Sequence, residues 1–325
     1  MRFRRRHHDG RALRELLNDG VWKSVNESAE VQALVPGFDS VADLTPFLQL
    51  NTDGRKALAE LAGDLPDAAA GEARMLPPVD VRSFRDFMLY EEHVINASRG
   101  LVRRVMPGVY PIARAYETVL RRPFPRFKPH KLWYQQPIYY FGNGLNVLTD
   151  GDPMPWPKYT DLLDYELEIG AVLVRPLRNA SAEEAAAAIG GFVLINDFSA
   201  RDVQIDEMFS GFGPQKAKHF GSAISAEVVT ADEILPILDE LTGSVSINGQ
   251  QVATVSSAGA QFTLPEAIAF ASTCEDLHPG ELFGSGTLPG GAGIENDALV
   301  KSGDNLTLVV DGLASLTNVV SAKEQ

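Results

Sequence analysis

Residues 163–174 read Leu-Asp-Tyr-Glu-Leu-Glu-Ile-Gly-Ala-Val-Leu-Val, and this stretch decides the fold. It alternates and is rich in apolar and β-branched residues, which predicts a β-strand. Because successive strand side chains point to opposite faces, Glu166 and Glu168 share one face. Two neighbouring carboxylates repel each other and are costly to bury unpaired. A hard divalent cation would remove both problems, since Mg²⁺, Mn²⁺ and Ca²⁺ prefer oxygen ligands. The alternative is an exposed strand face that carries two acids.

A second candidate group lies upstream, in residues 83–99, which are predicted to form a helix with Ser83 as its N-cap. Asp86 and His93 are seven residues apart in the sequence. That spacing corresponds to about 700° of helical rotation, which places both within ~20° of one face. A carboxylate for a metal and a histidine for proton transfer would then face one pocket. A histidine packed in the core is the alternative interpretation of His93.

A third group follows the predicted buried strand at residues 191–196. Asp197 comes directly after it, where a ligand can be held rigidly. Arg201 and Gln204 are three residues apart on the next turn and therefore share a face. A guanidinium group suits a substrate carboxylate, and Lys218 could add a point charge. Surface ion pairs are the alternative for these residues.

A glycine-rich segment spans residues 284–295. It lacks the Lys-Ser/Thr pair of a P-loop and the strand–helix frame of a dinucleotide fold, which argues against phosphate binding. A tight loop that places Thr287 and Glu295 beside a small ligand fits the pattern better.

Composition and charge exclude several classes of protein. The chain has 325 residues, is 45% hydrophobic, carries a net charge of −14 and has a pI of about 4.9. The acidic balance argues against nucleic acids and anionic membranes as main partners, although a local basic pocket could still bind a small anionic substrate. The only cysteine, Cys274, excludes an internal disulfide and a thiolate metal cluster. No segment has the length or pattern of a membrane span or signal peptide, so a cytoplasmic protein is expected.

The chain is predicted to divide at an Ala/Gly/Pro-rich stretch, with a small N-terminal domain and linker at 1–78 and a catalytic domain at 79–325. The basic run at 1–8 is expected to be a first strand or a solvated terminal segment. In the second part, a hairpin is predicted around Asn248-Gly249. The predicted fold class is α+β, with a mostly-β core and a few flanking helices rather than a doubly wound βαβ array.

Four segments resemble the fumarylacetoacetate hydrolase family in order and spacing, over about residues 80–320. They are Asp86-Phe87 with His93-Val94-Ile95-Asn96, the aliphatic-Asp-x-Glu-x-Glu segment at 163–168, Asn-Asp-Phe-Ser-Ala-Arg-Asp at 196–202, and Gly280 to Thr287. Met88 differs, since the hydrolase itself carries a tyrosine there, and residues 1–78 do not match that enzyme's N-terminal SH3-like domain. These differences leave the family chemistry intact but not the identity of the substrate.

The resemblance implies a mixed β-roll core, a homodimer, and Mg²⁺, Mn²⁺ or Ca²⁺ in the site, with Mg²⁺ expected first. By matching motif positions it implies three groups of site residues. The metal ligands would be Asp86, Glu166, Glu168 and Asp197. His93 would be the general base, paired with Glu295, and Lys218 would assist catalysis. The substrate contacts would be Arg201, Gln204, Tyr140 and Thr287.

Three functions are compatible with these residues. The first is hydrolytic C–C cleavage of a 2,4-dioxo acid or related 1,3-diketone, with Arg201 and Gln204 holding a remote carboxylate. The second is decarboxylation of an oxo acid, or isomerisation or hydration of a 2-hydroxy-dienoate in aromatic catabolism, since each needs a stabilised enolate. The third is a metal-binding interaction protein without catalysis, and the presence of His93 beside four acids argues against it.

Overall fold

The computed structural model describes residues 1–325 and shows an α+β fold dominated by sheets. The strands are β1 (Arg2–His8), β2 (Arg11–Asn18), β3 (Val21–Ser24), β4 (Arg74–Leu76), β5 (Ser83–Phe87), β6 (Tyr139–Gly142), β7 (Val147–Leu148), β8 (Met154–Trp156), β9 (Leu163–Asp164), β10 (Leu167–Leu173), β11 (Ile189–Asn196), β12 (Ser199–Ala200), β13 (Ser222–Ile224), β14 (Glu227–Thr230), β15 (Thr242–Ile247), β16 (Gln250–Ser256), β17 (Glu281–Gly284), β18 (Asn305–Val310) and β19 (Ala314–Lys323).

The helices flank these sheets. They are α1 (Ala29–Leu34), α2 (Thr45–Leu48), α3 (Thr52–Ala62), α4 (Glu91–Val105), α5 (Tyr110–Leu120), α6 (Ala182–Ala188), α7 (Arg201–Phe209), α8 (Ala231–Ile234), α9 (Leu264–Ala271) and α10 (Gly293–Asn296). Short 3-10 helices lie at Pro125–Phe127, Lys131–Tyr134 and Leu235–Ile237. No helix combines the length and the apolar composition that a membrane span requires.

Two large sheets enclose the main core. The larger has the strand order β3-β2-β1-β14-β11-β10-β17-β5-β6, and the smaller has the order β16-β15-β18-β19-β8. Most neighbouring strands are antiparallel, but β17 and β5 are parallel. Leu167 and Leu194 of the larger sheet belong to the same buried cluster as Leu308 and Leu316 of the smaller one. The predicted hairpin around Asn248-Gly249 is confirmed, since it joins β15 to β16 with φ of 52° and 78° at the two residues.

The stretch at 163–174 forms β9 and β10 with a short break between them. Strand β10 pairs with β11 on one side and β17 on the other, and all its residues are buried. Glu166 and Glu168 are 4% and 0% exposed. The alternative of an exposed strand face that carries two acids is therefore wrong.

The prediction of a helix at 83–99 is wrong for the first half of this segment. Residues Ser83–Phe87 form β5, which lies between β17 and β6 in the larger sheet, and α4 begins only at Glu91. Ser83 is therefore not an N-cap. Hydrogen bonds to two distant strands override the local helical pattern here. Asp86 and His93 consequently do not share a helix face.

The N-terminal residues extend the larger sheet. Strand β1 pairs with β14, and β4, which lies within the predicted linker, pairs with β1. Phe3 packs in one buried cluster with Val193 and Leu282. The basic run forms β1, and Arg4 and Arg6 donate to the buried Glu15, with Nε–carboxylate distances of 2.6 and 2.9 Å. Residues on both sides of position 78 thus share a sheet and a core, and the domain division there stays a prediction.

Candidate active site

Three buried carboxylates converge beside strands β5, β10 and β11 of the larger sheet. Asp86 comes from β5, Glu168 from β10, and Asp197 follows β11. Each offers an oxygen atom, and these three atoms lie within 4.8 Å of one another. Strand β17 runs between β5 and β10 and contributes Gly284 at this point. A Cβ at Gly284 would lie 2.4 Å from Asp86 Oδ1 and 2.9 Å from Glu168 Oε2, so only glycine keeps this space open.

The electrostatics of the cluster are unfavourable without a cation. Burial raises the pKa of Asp86 well above its usual value, and the charge of Asp197 adds to the rise. Burial and the neighbouring Asp86 do the same to the pKa of Glu168. Burial also raises the pKa of Asp197, against the lowering effect of Lys218. Asp86 Oδ1 and Glu168 Oε2 are buried without a hydrogen-bond partner.

These observations fit a hard divalent cation. It accepts several carboxylate oxygens, neutralises buried like charges and satisfies oxygen atoms that lack a hydrogen-bond donor. Asp86, Glu168 and Asp197 are the residues that would hold it.

Glu166 differs from the other three predicted ligands. Its Oε1 lies 2.7 Å from Arg201 Nη2, and its Oε2 accepts a hydrogen bond from Lys218. Although burial acts in the opposite direction, Arg201 and Lys218 hold the pKa of Glu166 below its usual value. Both oxygens are engaged by cationic side chains, and the role of Glu166 as a metal ligand stays a prediction.

A histidine–glutamate pair lies beside this cluster. His93, in the first turn of α4, donates from Nδ1 to Glu295 Oε1 of α10 at 2.7 Å, because a carboxylate can only accept. Glu295 Oε2 accepts from the backbone amide of Gly290 at 3.0 Å, which fixes the orientation of the carboxylate. In the neutral imidazole that carries its proton on Nδ1, the lone pair lies on Nε2. Nε2 lies 3.8 Å from Glu166 Oε1.

Close packing of two helices holds this pair in place. A Cβ at Gly100 of α4 would come within 1.9 Å of the carbonyl oxygen of Ile294 in α10. Only glycine therefore allows the two helices to approach this closely. This close approach of the two helix backbones brings the side chains of His93 and Glu295 within reach of each other.

The other predicted residues surround the same space. Lys218 Nζ lies 2.5 Å from Asp197 Oδ2, and the Tyr140 hydroxyl donates to the same oxygen at 2.6 Å. Thr287 Oγ1 donates to Glu168 Oε1 at 3.3 Å. Burial lowers the pKa of Lys218, but Asp197 and Glu166 outweigh this effect and raise it overall, so the ammonium group stays charged.

Nine of the eleven predicted site residues line one cavity of about 480 Å³. The predicted residues that line it are Asp86, His93, Tyr140, Glu166, Glu168, Arg201, Gln204, Lys218 and Thr287. The remaining two, Asp197 and Glu295, contact residues that line the cavity. The structure thus brings the sequence-predicted residues together, although several come from different elements than expected.

Asp164 is a site residue that the sequence interpretation missed. It is fully buried and accepts from Arg201 Nε at 2.7 Å, and from the backbone amides of Gly293 and Ile294 at 2.9 and 3.0 Å. It therefore orients Arg201 and anchors the segment that carries Glu295. A signal was available, because Asp164 precedes Glu166 by two residues, the spacing of one strand face.

The affinity of this cluster for a divalent cation such as Mg²⁺ is expected to rise with pH. The raised pKa values of Asp86 and Glu168 mean that the cation must displace protons, and proton displacement becomes easier as pH increases. We expect the association constant to increase by about tenfold per pH unit for each displaced proton. Calorimetric titration between about pH 6 and about pH 8 measures this slope. Asp86→Asn should lower the affinity and flatten the slope, and a wild-type affinity independent of pH would contradict the expectation.

Known proteins share sequence with this chain. Residues 108–321 match the family model described as fumarylacetoacetate (FAA) hydrolase, C-terminal. The chain is 31% identical over 184 residues to the fumarylacetoacetase of Dictyostelium discoideum, covering 50% of this chain and 37% of that protein. It is 28% identical over 189 residues to the mitochondrial oxaloacetate tautomerase of Homo sapiens, covering 58% of this chain and 83% of that protein.

The fold is also shared with solved structures. The fumarylacetoacetate hydrolase of psychrophilic Exiguobacterium antarcticum superposes with a TM-score of 0.68 at 19% identity, over 99% of both chains. This similarity confirms the predicted α+β fold class with a mostly-β core.

Proposed function

Since this chain belongs to the fumarylacetoacetate hydrolase family, we propose that it is an enzyme that hydrolyses a carbon–carbon bond in a 2,4-dioxo acid. The observation that supports this most strongly is the His93–Glu295 pair beside the cluster of Asp86, Glu168 and Asp197. A base for water and a site for a Lewis acid are the two components that such a hydrolysis requires.

The proposed cofactor is Mg²⁺, with Mn²⁺ or Ca²⁺ as alternatives, because the donors are all carboxylate oxygens. When bound, the cation supplies a positive charge that polarises a substrate carbonyl and stabilises an enolate. A homodimer and a role in the breakdown of aromatic compounds remain part of the proposal.

His93 carries out the proton transfers. Its Nε2 removes a proton from water, and the resulting hydroxide attacks the C4 carbonyl carbon. The bond between C3 and C4 then breaks, and its electron pair forms the enolate of the 2-oxo acid portion. The imidazolium returns the proton to C3. The products are one carboxylic acid and one 2-oxo acid, and one water molecule is consumed.

Glu295 and Lys218 support these steps. Glu295 keeps the proton on Nδ1 of His93 and stabilises the imidazolium that forms. Lys218 is a buried, charged donor that can stabilise the developing oxyanion.

Gln204 and Arg201 are the proposed contacts for the substrate carboxylate. Gln204 Oε1 accepts from Arg201 Nη1 at 2.9 Å, so the amide group of Gln204 remains as a donor towards the cavity. Arg201 adds positive charge there, although Asp164 and Glu166 already engage its Nε and Nη2.

A second candidate is tautomerisation or isomerisation of an oxo acid. The similarity to an oxaloacetate tautomerase favours it, and His93 could shuttle a proton between carbon and oxygen without activating water. Decarboxylation of an oxo acid would use the same stabilised enolate. The His93–Glu295 pair argues against a binding protein without catalysis, because metal binding alone would not need it.

Product analysis by NMR separates these candidates. The protein is incubated in the presence of Mg²⁺ with one substrate at a time. The three substrates are an acylpyruvate, oxaloacetate and a 2-hydroxy-dienoate. Hydrolysis of the acylpyruvate should give pyruvate and the carboxylic acid of the acyl group. Acceleration of the keto–enol exchange of oxaloacetate, with no cleavage of any acylpyruvate, would instead identify a tautomerase.

A further inference from the structure

We propose that the substrate carries a single carboxylate at its oxo-acid end and an apolar alkyl or aryl group at the other end. This inference rests on the proposed function and adds the substrate class to it. It follows from the part of the cavity that does not contain the acids.

One wall of the cavity is apolar and is built by two helices. Helix α4 contributes Val94, Ala97 and Leu101, whose spacings of three and four residues place them on one face. Helix α7 contributes Ile205, Met208 and Phe209 to the same cavity. Ser98 is the only polar side chain that α4 adds to the lining beyond His93. Met208 and Phe209 are 47% and 81% exposed, so an apolar group bound there would cover them.

The cavity has no free positive charge for a second carboxylate. His93, Arg201 and Lys218 are its only basic lining residues. Each is already paired with a carboxylate: His93 with Glu295, Arg201 with Asp164 and Glu166, and Lys218 with Glu166 and Asp197. A carboxylate at the far end of the substrate would therefore lie on the apolar wall without a cationic partner, which is costly.

Nearby arginines do not supply the missing positive charge. Arg99 of α4 pairs with Glu117, and Arg103 and Arg104 pair with Asp297. None of these arginines lines the cavity. The expectation that Arg201 and Gln204 hold a remote carboxylate is accordingly replaced by a carboxylate next to the 2-oxo group.

The position of His93 indicates where the apolar group of the substrate would lie. His93 lies at the start of α4, and the apolar face follows it along the same helix. The carbonyl attacked beside His93 would place its substituent against Val94, Ala97 and Leu101. From Val94 to Leu101 the helix rises by about 10 Å, which accommodates a phenyl ring or a medium-length alkyl chain.

The test compares two substrates of equal carbon number, 2,4-dioxooctanoate and 2,4-dioxooctanedioate, which differ only at the far end. In the presence of Mg²⁺ we expect kcat/KM to be at least about 100-fold higher for the monoacid. Lengthening the monoacid by one methylene should raise kcat/KM by about fourfold until the wall is filled. Equal or better cleavage of the diacid would overturn the inference.

A binding measurement separates this inference from the proposed function. The analogues 2-oxooctanoate and 2-oxooctanedioate lack the 4-oxo group and cannot be cleaved, and calorimetry gives their affinities. Tighter binding of the monoacid without cleavage of any dioxo acid would refute the proposed hydrolysis and support the apolar wall. Cleavage of dioxo acids without this preference would support the hydrolysis and refute the substrate class.

A variant with a positive charge on the apolar wall tests the same inference. Met208→Arg adds a cation at a half-exposed position, where it should not disturb folding. We expect the ratio of kcat/KM for diacid over monoacid to increase by about tenfold. Ile112→Arg is the control, since Ile112 is 67% exposed and does not line the cavity. An unchanged ratio in Met208→Arg, or the same change in the control, would count against the inference.

Discussion

Replacing His93 with alanine is expected to lower kcat for a 2,4-dioxo acid by about 100-fold to 10,000-fold. The imidazole is the proposed base, and His93 is the only histidine in the cavity lining. Because His93 is not one of the three clustered carboxylates, the affinity for Mg²⁺ should change little. Steady-state kinetics and calorimetric titration of the same preparation measure both quantities.

Two further variants serve as controls for His93→Ala. His278→Ala removes an exposed histidine outside the cavity and should leave kcat unchanged. Glu295→Gln keeps the hydrogen-bonding shape but removes the charge that stabilises the imidazolium, so it should reduce kcat less than His93→Ala does. Full activity in His93→Ala would show that another group activates the water.

Exchanging Glu168 for glutamine is expected to abolish stabilisation by Mg²⁺ and reduce activity to background, while stabilising the cation-free protein. The pKa of Glu168 is raised in the folded state, so folding favours its protonated form. The stability of the cation-free protein therefore falls as pH rises from the usual carboxyl range towards this raised pKa. Glutamine stays neutral and can donate to Asp86, which removes this loss.

Thermal unfolding at about pH 8, with and without Mg²⁺, tests this prediction. Without cation, Glu168→Gln should unfold at a higher temperature than wild type, with a gain of about 1 kcal/mol in the free energy of unfolding. With Mg²⁺ the wild type should gain stability and the variant should not. The exposed Glu183→Gln serves as the control. A variant that keeps the full Mg²⁺ response would remove Glu168 from the proposed cation site.

Local patterns predicted those parts of the fold that depend on local interactions. The hairpin at Asn248-Gly249 needs positive φ at both turn residues, which this pair tolerates. Alternation of residue type predicted the shared face of Glu166 and Glu168, but not that both sides of the strand are covered.

Features that depend on contacts between distant residues were harder to predict from the sequence. Ser83–Phe87 has a helix-like pattern and becomes a strand because β17 and β6 supply its hydrogen bonds. Asp86 and His93 reach one cavity from a strand and the following helix, a geometry that their spacing alone does not encode. The apolar wall combines residues of α4 and α7 that are more than 100 positions apart in the chain.

The central claim, attack of water on the C4 carbonyl, is tested most directly by cleavage of 2,4-dioxooctanoate in water enriched in oxygen-18. Mass spectrometry of the released acid gives the result. The proposed mechanism predicts that one oxygen-18 atom enters the carboxylate of pentanoate and that pyruvate is released in equal amount. Formation of carbon dioxide, or a changed keto–enol ratio with no labelled pentanoate, would contradict it.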